Sequence, residues 1–130
     1  MKIYIGSRFA DRLRLRTVAD DLWNLGHEIT SSWLNETTKM EIMTRDEFWL
    51  RLARKDLQEI AAADLFIRDV HRISHTGGAD TEFGFALARH QHCLVWTVGH
   101  APRNVFHTLA DKHFDTWAAC LRELKKDKYK

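Results

Sequence analysis

Short apolar, β-branched runs alternate with helix-patterned stretches along this 130-residue chain, and that alternation narrows its fold more than any other feature. KIYIG at Lys2–Gly6, LFIR at Leu65–Arg68 and CLVWTV at Cys93–Val98 read as strands, with a partly polar strand at Glu28–Trp33 and a fifth at Lys112–Phe114. Leu15, Val18, Leu22 and Leu25 recur at helical spacing and predict a helix over about Ala10–Leu25, closed by Gly26. After a loop to about Met43, Thr44 opens a second helix with Glu47 three residues later, running to about Ala62. Gly77 and Gly78 lead into a third, over about Asp80–His90, and Thr116 caps a last one reaching about Lys126. Strands separated by helices pair in parallel, with helices on both faces. The expectation is one doubly wound α/β domain spanning residues 1–130, with five parallel strands in the order 2-1-3-4-5. With one proline, Pro102, and no low-complexity stretch, no linker divides the chain.

Composition excludes several classes. No apolar run approaches the ~20 residues that span a bilayer, and the apolar run in MKIYIGSRF is too short for a signal peptide. Cys93 and Cys120 are too few for a disulfide framework and read as reduced thiols of a cytoplasmic protein. Five of the basic residues lie in 121–130 against Glu123 and Asp127, so that segment carries +3 and the other 120 residues −1, out of a net +2. A solvated helix end accounts for this, and no broad basic face for a nucleic acid polymer is implied. His71 and His75 are four apart but in a loop, without HExxH or CxxC, so no metal site is expected. Cys93 sits in an apolar strand without activation, and Ser31 and Ser32 lack a nucleophile-elbow context.

In a sheet of this kind ligands bind beyond the C-terminal strand ends, where the strand order reverses. The unusual residues cluster there. Thr76-Gly-Gly-Ala-Asp-Thr-Glu82-Phe-Gly84 places a glycine pair before a helix and Glu82 in the expected first turn, where the helix dipole favours an ionised carboxylate. An acidic first turn is also an ordinary way to begin a helix. Gly84 leaves room beside Glu82. Leu52, Asp56 and Ile60 fall on one line of the second helix, with Trp49 and Ala53 in the same stripe. A carboxylate there is either partnered or functional. Gly6, Ser7, Arg8 and Arg12 lead from the first strand into a helix N-terminus, a place that can hold an anion.

Four segments in order, KIYIGSRF, KDLQEIAAAD, GGADTEFGFALA and PRNVF, make residues 1–107 resemble the nucleoside 2-deoxyribosyltransferase superfamily. That superfamily includes transferases acting on nucleosides and N-hydrolases acting on nucleoside 5′-monophosphates. The resemblance implies that Glu82, in Glu82-Phe-Gly84-Phe-Ala86, is the nucleophile, that Tyr4 orients it, and that Asp56 contacts the base. Asn104 corresponds to an asparagine that reaches a neighbouring subunit's site, which implies a homodimer or higher homo-oligomer. Six residues before the nucleophile the transferases carry aspartate and the hydrolases serine. Thr76 stands here, and a neutral hydroxyl tolerates a phosphate better than aspartate. Asn104 is transferase-like, so transfer and hydrolysis both stay open.

The implied chemistry is that of a retaining glycosidase without metal or organic cofactor: Glu82 ionised and attacking, Asp56 protonated and assisting the leaving base. Trp33 is a candidate to stack on that base. Two rival readings share the fold: a non-catalytic nucleotide-binding or sensor module, and an NAD-cleaving domain with an equivalent glutamate. A carboxylate facing the sugar separates catalysis from mere binding, and no dinucleotide fingerprint is readable.

Overall fold

A computed structural model describes residues 1–36, 43–72, 76–100 and 104–130. Its strands are β1 (Lys2–Gly6), β2 (Glu28–Ile29), β3 (Leu65–Asp69), β4 (Leu94–Val98) and β5 (Lys112–Phe114). Its helices are α1 (Arg12–Asn24), α2 (Arg45–Ala61), α3 (Gly78–Ala88) and α4 (Trp117–Leu124). All strand pairs are parallel and the order is 2-1-3-4-5, as the alternation predicts. The crossover helices pack in two pairs, α1 with α4 on one face and α2 with α3 on the other. β3 is central and every one of its residues is buried, which is why its first three residues, LFI, are apolar without alternation. Among the described residues no helix is long and apolar enough to cross a membrane.

Local chemistry explains the boundaries. Thr44 caps α2 by accepting from the Glu47 amide at 3.2 Å, and Thr116 caps α4 by accepting from Ala119. The second strand is shorter than expected, because only Glu28 and Ile29 pair with β1 and Ser32–Asn35 forms a 3-10 turn. Side chains replace the missing ladder: Ile5 donates its amide to Ser31 Oγ at 3.2 Å, and Trp33 Nε1 donates to Ile5 O at 2.7 Å. With both backbone groups of Ile5 satisfied, the chain is free to leave the sheet edge. A 3-10 turn at Phe9–Asp11 precedes α1, and α4 stops at Leu124 before another at Asp127–Tyr129.

The third helix begins at Gly78, two residues earlier than expected, after Gly77 at φ 77°. That left-handed conformation suits glycine and starts the helix early. Asp80 is therefore the first-turn acid, and Glu82 belongs to the second turn. A Cβ at Gly84 would meet nothing within 4 Å, so no group of the protein's own packs against that position. Trp49 is 58% exposed and not part of a buried stripe; Phe48 and Ile60 bury α2 instead. The Leu52–Ala53–Asp56 face fronts an open cleft. Buried Cys93 and Cys120 are free thiols, pushed up by burial to about 11 and about 12.

Candidate active site

Beyond the C-terminal ends of β1 and β3 lies a cleft of about 370 Å³. The β1–α1 connection brings Ser7 and Arg8 to it, the 3-10 turn brings Trp33, α2 brings Asp56, and the start of α3 brings Thr76, Gly78 and Glu82. Tyr4 lies beneath the wall, fully buried, and its Oη donates to Glu82 Oε2 at 2.6 Å. Its ring stacks on Phe66 with centroids 5.6 Å apart and planes 10° apart. Gly6 acts behind the cleft: a Cβ there would fall 2.6 Å from Phe66 Cζ, so glycine at this position preserves the Tyr4–Phe66 stack. Arg12, Gly77 and Asn104 do not line the cleft. Arg12 covers the Phe9 ring at 4.3 Å, and Phe9 does line it.

Two carboxylates face this space with little to neutralise them. Burial, with Asp56 and Glu59 nearby, pushes Glu82 up to about 8, against the opposing pull of the Tyr4 hydroxyl and Arg68. Burial and Glu59 raise Asp56 to about 6, and its Oδ1 has no hydrogen-bond partner among the described residues. The sequence-based assignment has Glu82 ionised and Asp56 protonated, whereas the environment makes Glu82 the weaker acid of the two. The physical reason is depth: Glu82 lies past the first helical turn, where the dipole fades, and desolvation dominates. The two interact, so between about 6 and about 8 the pair holds one proton. Tyr4 is held well above its ordinary value by burial and by Glu82, and stays a donor across that range.

The 5′-end candidates have partners of their own. Arg8 makes a forked bond to Asp11, Nε–Oδ2 3.1 Å and Nη2–Oδ1 3.0 Å, and Ser7 Oγ donates to Asp11 Oδ2 at 3.0 Å. Trp33 is only 6% exposed and anchored through Nε1, so it is a fixed wall. Asn104 caps the 3-10 turn Val105–Leu109 by accepting from the amides of Phe106 and His107. Of the segment PRNVF, Pro102 and Arg103 lie outside the described residues, as does His75. Among the described residues no group of three or more His, Cys, Asp or Glu is placed to hold a metal.

Sequence reasoning missed Glu36, Leu57 and Thr81, which also line the cleft, and Asp11, which organises Ser7 and Arg8. Leu57 was legible as Asp56's neighbour at the edge of the apolar stripe. Glu36, tied to Lys55 at 2.5 Å, left no local signal.

No family model matches the chain, and no curated protein matches it in sequence. Solved structures do match. A 2-deoxyribosyltransferase from Bacillus psychrosaccharolyticus superposes with a TM-score of 0.75 at 19% identity, covering 93% of this chain and 90% of that one. The chain has the 2-deoxyribosyltransferase fold. The CMP N-glycosidase BcmB of Clostridium botulinum gives 0.61 at 17% identity, covering 95% and 97%. A conserved protein from Enterococcus faecalis V583 gives 0.70 at 16%, covering 96% and 97%. Both coverages exceed nine-tenths in the latter two, so the shared fold spans the whole domain.

Proposed function

We propose that this chain cleaves or transfers at the N-glycosidic bond of a nucleoside or nucleoside 5′-monophosphate, with Glu82 as nucleophile. The observation that carries the reading is the Tyr4–Glu82 hydrogen bond at 2.6 Å beside a cleft that Asp56 also lines, with an Oδ1 that has no hydrogen-bond partner among the described residues. A binding module has no use for two raised carboxylates there.

In this reading the pair reacts in the form that has its one proton on Asp56: a Glu82 oxygen attacks the anomeric carbon as the bond to the base nitrogen breaks, and the Asp56 proton passes to the departing base. The tyrosine hydroxyl holds the other Glu82 oxygen, fixing the attacking one. A water or a second base then attacks the glycosyl ester, giving its proton to Asp56 and freeing Glu82. The sugar 5′ end falls against Ser7, Arg8 and Thr76. Arg8 lines the cleft and is paired with Asp11, whose charge Arg14 and Arg72 also meet at 3.6 and 4.0 Å, so Arg8 keeps charge for a 5′-phosphate.

A homo-oligomer belongs to the proposal. Next to Asn104, Val105, Phe106 and Leu109 are 74%, 61% and 62% exposed, apolar area suited to a second copy. The deciding experiment incubates the protein with nucleosides and their 5′-monophosphates, with and without a second free base. Released or exchanged base is expected from wild type and not from Glu82→Gln. Equal turnover by both proteins would sink the assignment.

A further inference from the structure

β3 carries an arginine where burial favours an aliphatic residue. Arg68 is 2% exposed and does not line the cleft. A buried guanidinium is costly unless it is fully partnered. Its Nε and Nη2 each donate to Asp80 Oδ1 at 3.3 Å, and its Nη1 donates to the Asp69 carbonyl. His107, itself 3% exposed, places Nε2 3.1 Å from the same Asp80 oxygen. Asp80 is thus gripped from two sides, and it stands two residues before Glu82 in α3. The helix has little else at that end, since its N-cap is Gly77, which has no side chain to cap with.

The groups acting on Glu82 come from three elements, Tyr4 from β1, Asp56 and Glu59 from α2 and Arg68 from β3, and Asp80, bonded to Arg68, stands two residues earlier on its own helix. Of these only Arg68 is cationic, and it opposes the two acids of α2. We propose that Arg68 is a positioning residue for Glu82, holding the first turn of α3 through Asp80 while its buried positive charge favours the ionised, attacking carboxylate. This rests on reading Glu82 as the nucleophile, but it has a consequence that needs no turnover.

The test follows the Glu82 side-chain carboxyl by carbon NMR in ligand-free protein, with the resonance assigned by its loss in Glu82→Gln. Base release from CMP and 2′-deoxy-CMP is measured in parallel across pH. Arg68→Met is expected to raise the Glu82 midpoint by about one pH unit and to move the alkaline limb of base release, which lies at that value, with it. Arg68→Gln keeps a donor for Asp80 without the charge, and gives the same upward shift where the methionine variant does not fold. Arg68→Lys keeps the charge and loses the fork, so its midpoint stays while the plateau rate falls by about tenfold. Asp80→Asn, at a partly exposed position, lowers the plateau without raising the midpoint. An unmoved midpoint in folded Arg68→Met or Arg68→Gln overturns the inference. A shifted midpoint in a protein that releases no base supports the electrostatic link and counts against the proposed function instead.

Discussion

The two faces of the sheet bury carboxylates in opposite ways. On the α1/α4 side, burial pushes Asp69 up, but Arg14 in a forked pair at 3.0 and 3.2 Å, Trp117 Nε1 at 2.7 Å and the His71 amide more than reverse it, leaving Asp69 below its ordinary value. Asp11 follows the same pattern, raised by burial and brought below its usual range by Arg8, Ser7 and Arg14. On the α2/α3 side, Glu82 and Asp56 receive one tyrosine hydroxyl between them among the described residues, and burial raises them to about 8 and about 6. Arginines neutralise the first pair of acids, Arg14 at Asp69 and Arg8 at Asp11, and no ion pair joins one to Asp56 or Glu82 among the described residues. Paired acids hold the structure together, and under-paired acids beside an open cavity are available to react.

The largest expected effect breaks this contrast at its reactive end. Glu82→Gln should lower base release by several powers of ten, because the attacking group is gone. The same variant should also be more stable than wild type. A carboxyl whose folded value is raised from 4.5 to about 8 contributes nothing adverse below 4.5 and an increasing penalty above it. After allowance for partial exposure, relief of that penalty near pH 8 amounts to about 1–3 kcal/mol. Denaturant melts at acid and at mildly alkaline pH check it, with a gain only in the second.

On the paired side, Asp69→Ala should cost about 3–5 kcal/mol by stranding Arg14 and Trp117 Nε1, while base release per folded molecule stays close to wild type. Because Asp69 is depressed, its contribution is present above its ordinary value of 3.8 and fades as pH falls through the folded value. Urea midpoints across acid pH would show it, and a variant as stable as wild type would remove the distinction between the faces.

Asp56→Asn should slow base release by about a hundredfold and take away the alkaline limb of the pH profile. In wild type that profile should be bell-shaped. Below about 6 the pair carries two protons and lacks a nucleophile, and above about 8 it carries none and lacks an acid. A wild-type rate that is flat from below the lower value to above the higher would contradict the shared proton. The smallest effect belongs to Arg8→Ala, expected to raise KM for a 5′-monophosphate by about tenfold and leave the parent nucleoside unchanged. Equal effects on both substrates would argue against a phosphate at Ser7–Arg8–Thr76.

Much of this was legible in the sequence. The strand order and the caps at Thr44 and Thr116 follow from alternation and capping patterns, Asp56 and Glu82 stood out by their places on helices, and the resemblance to the deoxyribosyltransferases added Tyr4. Departures occurred where distant groups decide a local outcome. Ser31 and Trp33 ended the second strand early by satisfying Ile5 across 26 and 28 residues of sequence. Trp49 is apolar and in phase, yet it is exposed because the face beside it borders a cavity.

What the sequence alone determined is the set of properties that depend on near neighbours: which segments are strands, which are helices, where glycine turns the chain, and therefore which ends of the strands meet. What only the tertiary structure decided is the charge state and partnership of each acid. Asp11, Asp56, Asp69 and Glu82 have nearly the same intrinsic chemistry. Arg14 reaches Asp69 across 55 residues, Tyr4 reaches Glu82 across 78, and Asp56 Oδ1 meets no donor among the described residues. Ionisation depends on local dielectric and on charges a few ångströms away, and those distances exist only once the chain has folded.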